Sequence, residues 1–306
     1  MNIRTIIVLA AVVLLGGLAL MDYYSADSVK ARELSDIQKL APDVQPPACF
    51  PPGPQSKLLA AAIKNDQRAP ESLNDDATRR SAIKHDCIRG NGNATVQRLV
   101  KALGPQALPL YTAVLEKCPV VKDEYPVYPC FALDALGFDG SKEALATLEK
   151  ALANKDKARK NVYLGALYRL MLAPGWRTTT QLAAMVPGET EWEAKDLILE
   201  QVRAKKDPAA RTELEKAFAT ENDELERGKI KAALLELDNP GRCVVEDEGR
   251  GEDGNCRYVC RDQNMRVKVA KQGQTCPLVR EAPAPDPQPG MASSSPVAPA
   301  AASATK

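Results

Sequence analysis

Residues 132–171 read ALDALGFDGSKEALATLEKALANKDKARKNVYLGALYRLM. Between Ser141 and Asn154, the residues Leu145, Leu148 and Leu152 fall at i, i+3 and i+7, with Ala144 and Ala151 beside them. That spacing lines one face of an α-helix. Ser141 stands where its hydroxyl can cap the helix N-terminus. After a charged turn, Ala158 to Met171 forms a second helix with Val162, Ala166, Leu167 and Leu170 on one side. A single pair of such helices cannot bury its apolar stripe alone, so it needs neighbours of the same kind.

The neighbours are present. Ala102-Leu103-Gly104 precedes Ala135-Leu136-Gly137 by 33 residues, and Ala166-Leu167 follows 31 residues later. Gln201-Val202 and Ala233-Leu234 come after further steps of 35 and 32. The last pair runs from Pro208 to Phe218 and from Glu224 to Leu237. Its stripes are Leu214 and Phe218, then Ile230, Ala233, Leu234 and Leu237. Pro208 suits the first turn of its helix. A period in the low thirties built from two helices predicts an α-solenoid.

The stretch that carries Ala135, Leu136, Gly137, Glu143, Ala144, Leu145, Leu148, Leu152, Arg159, Ala166 and Leu167 resembles the HEAT-like repeats of the phycobilisome-lyase type. The resemblance is good for this unit, blurred for the others, and covers Asn93 to Leu237. It departs at Cys118 to Cys130, where a Pro/Tyr loop is inserted, and at Ala173 to Trp176. It implies an all-α, right-handed solenoid of helix pairs and a habit of binding other proteins. It implies no bilin chemistry, because no chromophore-handling residues carry over.

Around this body the chain changes character. Thr5 to Met21 (TIIVLAAVVLLGGLALM) has no charge and follows Arg4. Residues 1–24 therefore read as a secretory signal, cut after Ala19, or as an uncleaved anchor. As a helix the run spans about 25 Å, slightly short of a ~30 Å hydrocarbon core, with Tyr23 and Tyr24 at the far interface. Residues 25–54 read as a short polar helix and a proline-rich linker, and residues 55–240 as the solenoid. Residues 241–280 alternate apolar and polar positions and read as a cysteine-rich β-module of three short strands. Residues 281–306 are rich in Ala, Pro and Ser and too poor in apolar residues to fold.

Composition excludes several functions. The 306 residues carry 41 basic and 40 acidic side chains, a net charge of +1, so no bulk attraction to nucleic acid exists. Aromatic residues are 5%, too few for a base-stacking platform. The chain has one histidine, His85, which leaves little material for His-based metal sites or triads. No cofactor motif is present. Asn93-Ala94-Thr95 is a glycosylation sequon that also reads as a helix cap.

The eight cysteines, an even number in a chain marked for export, read as disulfides. Cys118 ends one helix and Cys130 opens its mate, so these two are expected to pair. That leaves Cys49 with Cys87. A hairpin turning near Gly251 sets Cys243 opposite Cys260 and leaves Cys256 for Cys276. Each bridge is worth roughly 3 kcal/mol. An all-cysteine zinc site from Cys243, Cys256, Cys260 and Cys276 is the alternative, although C-x12-C-x3-C-x15-C lacks paired zinc knuckles.

The expectation is a non-enzymatic protein-interaction scaffold of the bacterial cell envelope. Its partner would be another protein, with membrane contact through the N-terminal segment if that is kept. It would lie at the periplasmic face of the inner membrane, or be secreted if the signal is cut. Two other readings stay open: a thiol-dependent enzyme using Cys87 and His85, and a spacer presenting the β-module. A reporter active only in the cytoplasm, fused after Lys306, is expected to be silent; full reporter activity would overturn the export reading.

Overall fold

The computed structural model of the chain describes residues 25–65, 87–90, 94–120, 127–247, 255–260, 265–270 and 276–281. Among them the chain is mostly helical, with a small antiparallel sheet towards the C-terminus. Two compact units divide it, Met1–Gln201 and Val202–Lys306. Thr5 to Met21, His85, Asn93 and nearly all of residues 281–306 lie outside the described residues. Among the described residues no helix is long and apolar enough to cross a membrane.

The first unit holds α1 (Ala26–Leu40), α2 (Pro54–Asn65), α3 (Ala94–Leu103), α4 (Leu108–Lys117), α5 (Tyr128–Asp139), α6 (Lys142–Ala153), α7 (Lys160–Leu172) and the short α8 (Thr179–Ala183). It also holds most of α9 (Trp192–Lys205). Local chemistry sets the boundaries. Gly140 adopts a left-handed φ of 62° and its N–H reaches the Leu136 carbonyl, which ends α5. Ser141 Oγ then accepts from the Ala144 N–H at 3.2 Å and starts α6. Asp156 caps the 3-10 turn Lys157–Arg159 that leads into α7, and Thr178 with Gln181 forms a capping box on α8.

Contacts run between sequential helices and between helices two apart. α4 packs on α5 and α6 on α7, while α3 meets α5, α5 meets α7, and α4 meets α6. The expected stripes supply the core. Ala144, Leu148, Val162, Ala166, Leu167 and Leu170 are buried, and Leu145, Ala151 and Leu152 are half-buried against it. Each fully buried leucine contributes about 2–3 kcal/mol of transfer free energy.

At the centre of this unit a charge is buried. Arg169 and Asp134 are both nearly covered, and Arg169 Nη2 donates to Asp134 Oδ1 at 2.5 Å. Arg169 Nη1 donates to three carbonyls, those of Gly165 (2.9 Å), Cys87 (2.9 Å) and Ile88 (3.2 Å). Residues 87–90 thus lie against α5 and α7 at backbone distance. A Cβ at Gly165 would sit 2.3 Å from the Cys87 carbonyl oxygen and 2.8 Å from Leu133 Cδ1. Gly90, at φ +76°, has Asp134 Oδ1 where its Cβ would be, 2.6 Å away.

The disulfides of the first unit differ from the expected pairs. Cys49 joins Cys118, with Cα atoms 5.0 Å apart, and Cys87 joins Cys130 at 4.6 Å. The expected Cys49–Cys87 and Cys118–Cys130 bonds are therefore replaced. The physical reason is that both segments, the proline-rich one at Cys49 and the helical turn 87–89, are packed in place. Phe50 of the proline-rich stretch is buried and meets the Tyr128 ring edge-on at 5.3 Å, which brings Cys49 to the end of α4. Arg169 holds the Cys87 carbonyl, which brings Cys87 to the first turn of α5. The stretch 42–54, read as a linker, is packed onto the helices: Phe50 is buried, Val44 and Cys49 are half-buried against the core, and Ser56 Oγ donates to the Pro51 carbonyl at 2.5 Å.

The second unit contains α10 (Arg211–Thr220), α11 (Glu224–Asp238) and the strands β1 (Cys243–Asp247), β2 (Asn255–Cys260), β3 (Met265–Ala270) and β4 (Val279–Arg280). Pro208 opens a 3-10 turn, Pro208–Ala210, ahead of α10 rather than its first α-helical turn. Leu214, Ala217, Ile230, Ala232 and Ala233 are buried between α10, α11 and their surroundings, whereas Phe218, Leu234 and Leu237 are half-buried. The strand order is β3-β2-β1-β4, all antiparallel. The fourth strand was not expected; Val279 pairs with Val244 and Arg280 with Cys243. Cys243 joins Cys260 and Cys256 joins Cys276, the pairs expected of a hairpin. These four cysteines have no thiolate left for a zinc ion. They form most of a small core with Val245 and Tyr258, and the Tyr258 hydroxyl donates to the Pro277 carbonyl at 2.9 Å. A unit this small gains stability from staples that its apolar area does not supply.

Four disulfides are compatible with an oxidising, extracytoplasmic compartment. Non-reducing peptide mapping is expected to recover Cys49 with Cys118 and Cys87 with Cys130. A Cys49→Ser/Cys118→Ser variant should lose about 4 kcal/mol of stability, the value for a closed loop near the observed separation of 69. A peptide containing Cys49 bonded to Cys87 would overturn this connectivity.

Candidate interaction groove

The C-terminal ends of α4 and α6 and the start of α7 enclose an open groove of about 300 Å³. Leu115 and Glu116 come from α4, Thr147, Lys150 and Ala151 from α6, Asn154 from its C-cap, and Arg159 and Val162 from the start of α7. Helical spacing explains the set. Thr147, Lys150, Ala151 and Asn154 recur at i, i+3, i+4 and i+7 and so share one face. The adjoining face of α6 carries Ala144 and Leu148 into the core, and Ala151 lies at the border of the two.

Charge is unevenly used around the groove. Lys150 Nζ pairs with Glu116 at 2.6 Å, and both side chains are well exposed. Arg159 has no carboxylate partner among the described residues. Its guanidinium donates to the carbonyls of Leu115 and Glu116, the last turn of α4. A cation there complements the negative end of the helix dipole. Asp156 is turned to its own backbone, accepting from the Ala158 N–H at 2.9 Å. Lys157 is exposed, and its ammonium has no carboxylate partner among the described residues.

The same turn borders a second cluster. Glu189 is buried and accepts from the N–H groups of Thr190 (2.8 Å) and Glu191 (3.0 Å), from Lys155 Nζ (3.1 Å) and from the Tyr163 hydroxyl. Burial opposes its charge, but those donors outweigh burial and hold the carboxyl below the usual glutamate range. Burial, and then the bond to Glu189, push the Tyr163 phenol well above its ordinary value. Lys160 bridges Glu191 and Glu193, each at 2.7 Å, and its ammonium stands 6.0 Å from the centre of the Trp192 ring. Trp192 is 52% exposed. An accessible tryptophan beside cations has the composition of a binding hot spot.

The candidate reactive residues singled out by sequence fall elsewhere. All eight cysteines are in disulfides. Cys87 is fully buried and bonded to Cys130, and His85 lies outside the described residues. Arg159 was marked by the repeat resemblance, but Glu116, Lys150, Asn154 and Trp192 were not. A signal for two of them existed: Glu116 and Lys150 carry opposite charges one repeat apart, at a separation of 34. Compared with models of known protein families, with curated proteins and with solved structures, the chain matches none.

Glu189 has a definite sign in the pH dependence of stability. Its folded-state pKa is lowered, so its contribution is present above the unfolded glutamate range near pH 4 and is lost as pH falls through the folded value. Thermal denaturation from about pH 7 down to about pH 3 is expected to show a smaller loss of Tm for Glu189→Gln than for the native chain. Equal losses would show that the carboxylate is not held in the charged form.

Proposed function

We propose that this chain is a non-enzymatic protein-interaction scaffold of the cell envelope, built as a HEAT-like α-solenoid. The contacts between helices two apart support the solenoid reading. In it α3, α5 and α7 form one layer, α4 and α6 the other, and each helix pair repeats the last. The observation that carries the function is the open groove between stacked pairs, lined by Lys150, Glu116 and Arg159. Solenoids present such surfaces to proteins, and a surface of mixed charge with an exposed tryptophan near it suits that use. The thiol-dependent alternative needs a free, partly exposed Cys87 with a base beside it. Burial of Cys87 in a disulfide with Cys130 counts against that reading.

Purification of the full chain through a tag after Lys306, from membranes and from soluble extracellular fractions, is expected to recover one partner protein. That partner should rebind as a purified component and bind Trp192→Ala at least about tenfold more weakly, a usual hot-spot loss. Removal of residues 242–306 should leave the binding unchanged. Binding that requires only residues 242–306 would make the helices a spacer and overturn the scaffold reading.

A further inference from the structure

The groove between α4, α6 and α7 has a charge imbalance that selects among protein ligands. The chain as a whole is almost neutral, at +1. Of the lining residues, Lys150 and Arg159 stand against Glu116, and the exposed Lys117 and Lys157 adjoin lining residues in sequence. Lys117 and Lys157 are exposed and contact no described residue through a charge, and Lys150 is 75% exposed although paired. Lys155 and Lys160, in the same turn, are already matched by Glu189, Glu191 and Glu193. Among the described lining residues the positive charge left without a carboxylate is therefore that of Arg159.

We propose that this groove takes an extended acidic segment of the partner protein. One carboxylate of the segment replaces Glu116 on Lys150, and the next lies along Arg159 and Lys157. Three features favour this occupant. Glu116 already shows a carboxylate held by Lys150 at 2.6 Å, so the site's own residue marks where a ligand carboxylate fits. The Arg159 guanidinium is fixed by two carbonyls and presents its charge without the entropy cost of ordering a free side chain. The concave shape, about 300 Å³ with Leu115, Ala151 and Val162 at its base, admits a peptide chain with small side chains. A flat lipid surface would leave that hollow unfilled. The inference deepens the scaffold reading and rests on it.

The test uses the full-length chain and a fluorescein-labelled peptide of alternating glutamate and alanine, read by fluorescence polarisation. Binding is expected to weaken severalfold as salt rises from about 0.05 to about 0.3 M. Lys150→Glu/Lys157→Glu should weaken it about tenfold or more, and Glu116→Gln should strengthen it about threefold by removing the internal competitor. All these positions are exposed, so circular dichroism should be unchanged and a folding defect is readily told apart. No binding, equal binding of a lysine–alanine peptide, or equal binding by the double variant would overturn the proposal. So would binding to phosphatidylglycerol vesicles with the same dependence on Lys150 and Lys157, which would make the basic edge a lipid contact. If Lys150→Glu/Lys157→Glu still captures the native partner at full yield, the groove assignment fails while the scaffold reading stands; if the native chain captures none, the scaffold reading itself fails.

Discussion

The ion pair between Arg169 and Asp134 holds the first unit together at the point where three segments meet. Taking both charges out of water costs several kcal/mol, and the pair is tolerable because the guanidinium also satisfies three carbonyls. Loss of one partner would leave an uncompensated buried charge, typically a cost of 3–5 kcal/mol. The geometry around the pair depends on missing side chains. Gly165 lets the Cys87 carbonyl reach α7, Gly90 lets the chain pass Asp134, and Gly137 leaves room for the Arg169 stem, whose Cγ would lie 3.1 Å from a Cβ there. The Cys87–Cys130 bond and the entry of residues 87–90 into the core both follow from this one packed cation.

The period seen among the leucines returns in the charges. Glu116 and Lys150 are 34 residues apart, Asp134 and Arg169 35, Lys155 and Glu189 34, and Arg203 and Glu236 33. Each pair lies within one compact unit. An exposed pair such as Glu116–Lys150 contributes little, on the order of 0–1 kcal/mol. Such pairs act on register: a helix pair displaced by one turn would break them together with the apolar contacts beneath. The better-covered pairs, Arg169–Asp134 and Arg203–Glu236, add a penalty for misalignment because their charges have no water to return to.

What sequence made legible follows the range of the interactions. Ser141 as a cap, Leu148 and Leu170 as core, and the Cys243–Cys260 bond all depend on residues near one another along the chain or on a single hairpin. Periodicity or turn geometry is enough to find them. The Cys49–Cys118 bond depends on Phe50 packing against Tyr128, a contact between a proline-rich stretch and a helix start 78 residues away. Proline-rich composition pointed to a linker, and tertiary packing overrode it. The groove was illegible for a related reason. Its polar lining consists of ordinary solvent-facing residues on each helix, and only the stacking of α4, α6 and α7 makes them a site.

The order of the cysteines along the chain has a consequence for how the protein comes to be made. In each unit the two bonds cross: Cys87 lies between Cys49 and Cys118, and Cys256 lies between Cys243 and Cys260. A polypeptide is synthesised from its N-terminus, so the first two thiols of each unit to meet an oxidant are ones that do not end up joined. Cys49 would meet Cys87 before Cys118 exists, and Cys243 would meet Cys256 before Cys260. Oxidation that simply followed arrival would trap the wrong pairs. The native set is reached either by holding thiols reduced until the whole unit has emerged or by exchange, in which a thiolate attacks an early bond and hands it on. Yield of this protein is thus tied to the shuffling capacity of its compartment as much as to the stability of the fold.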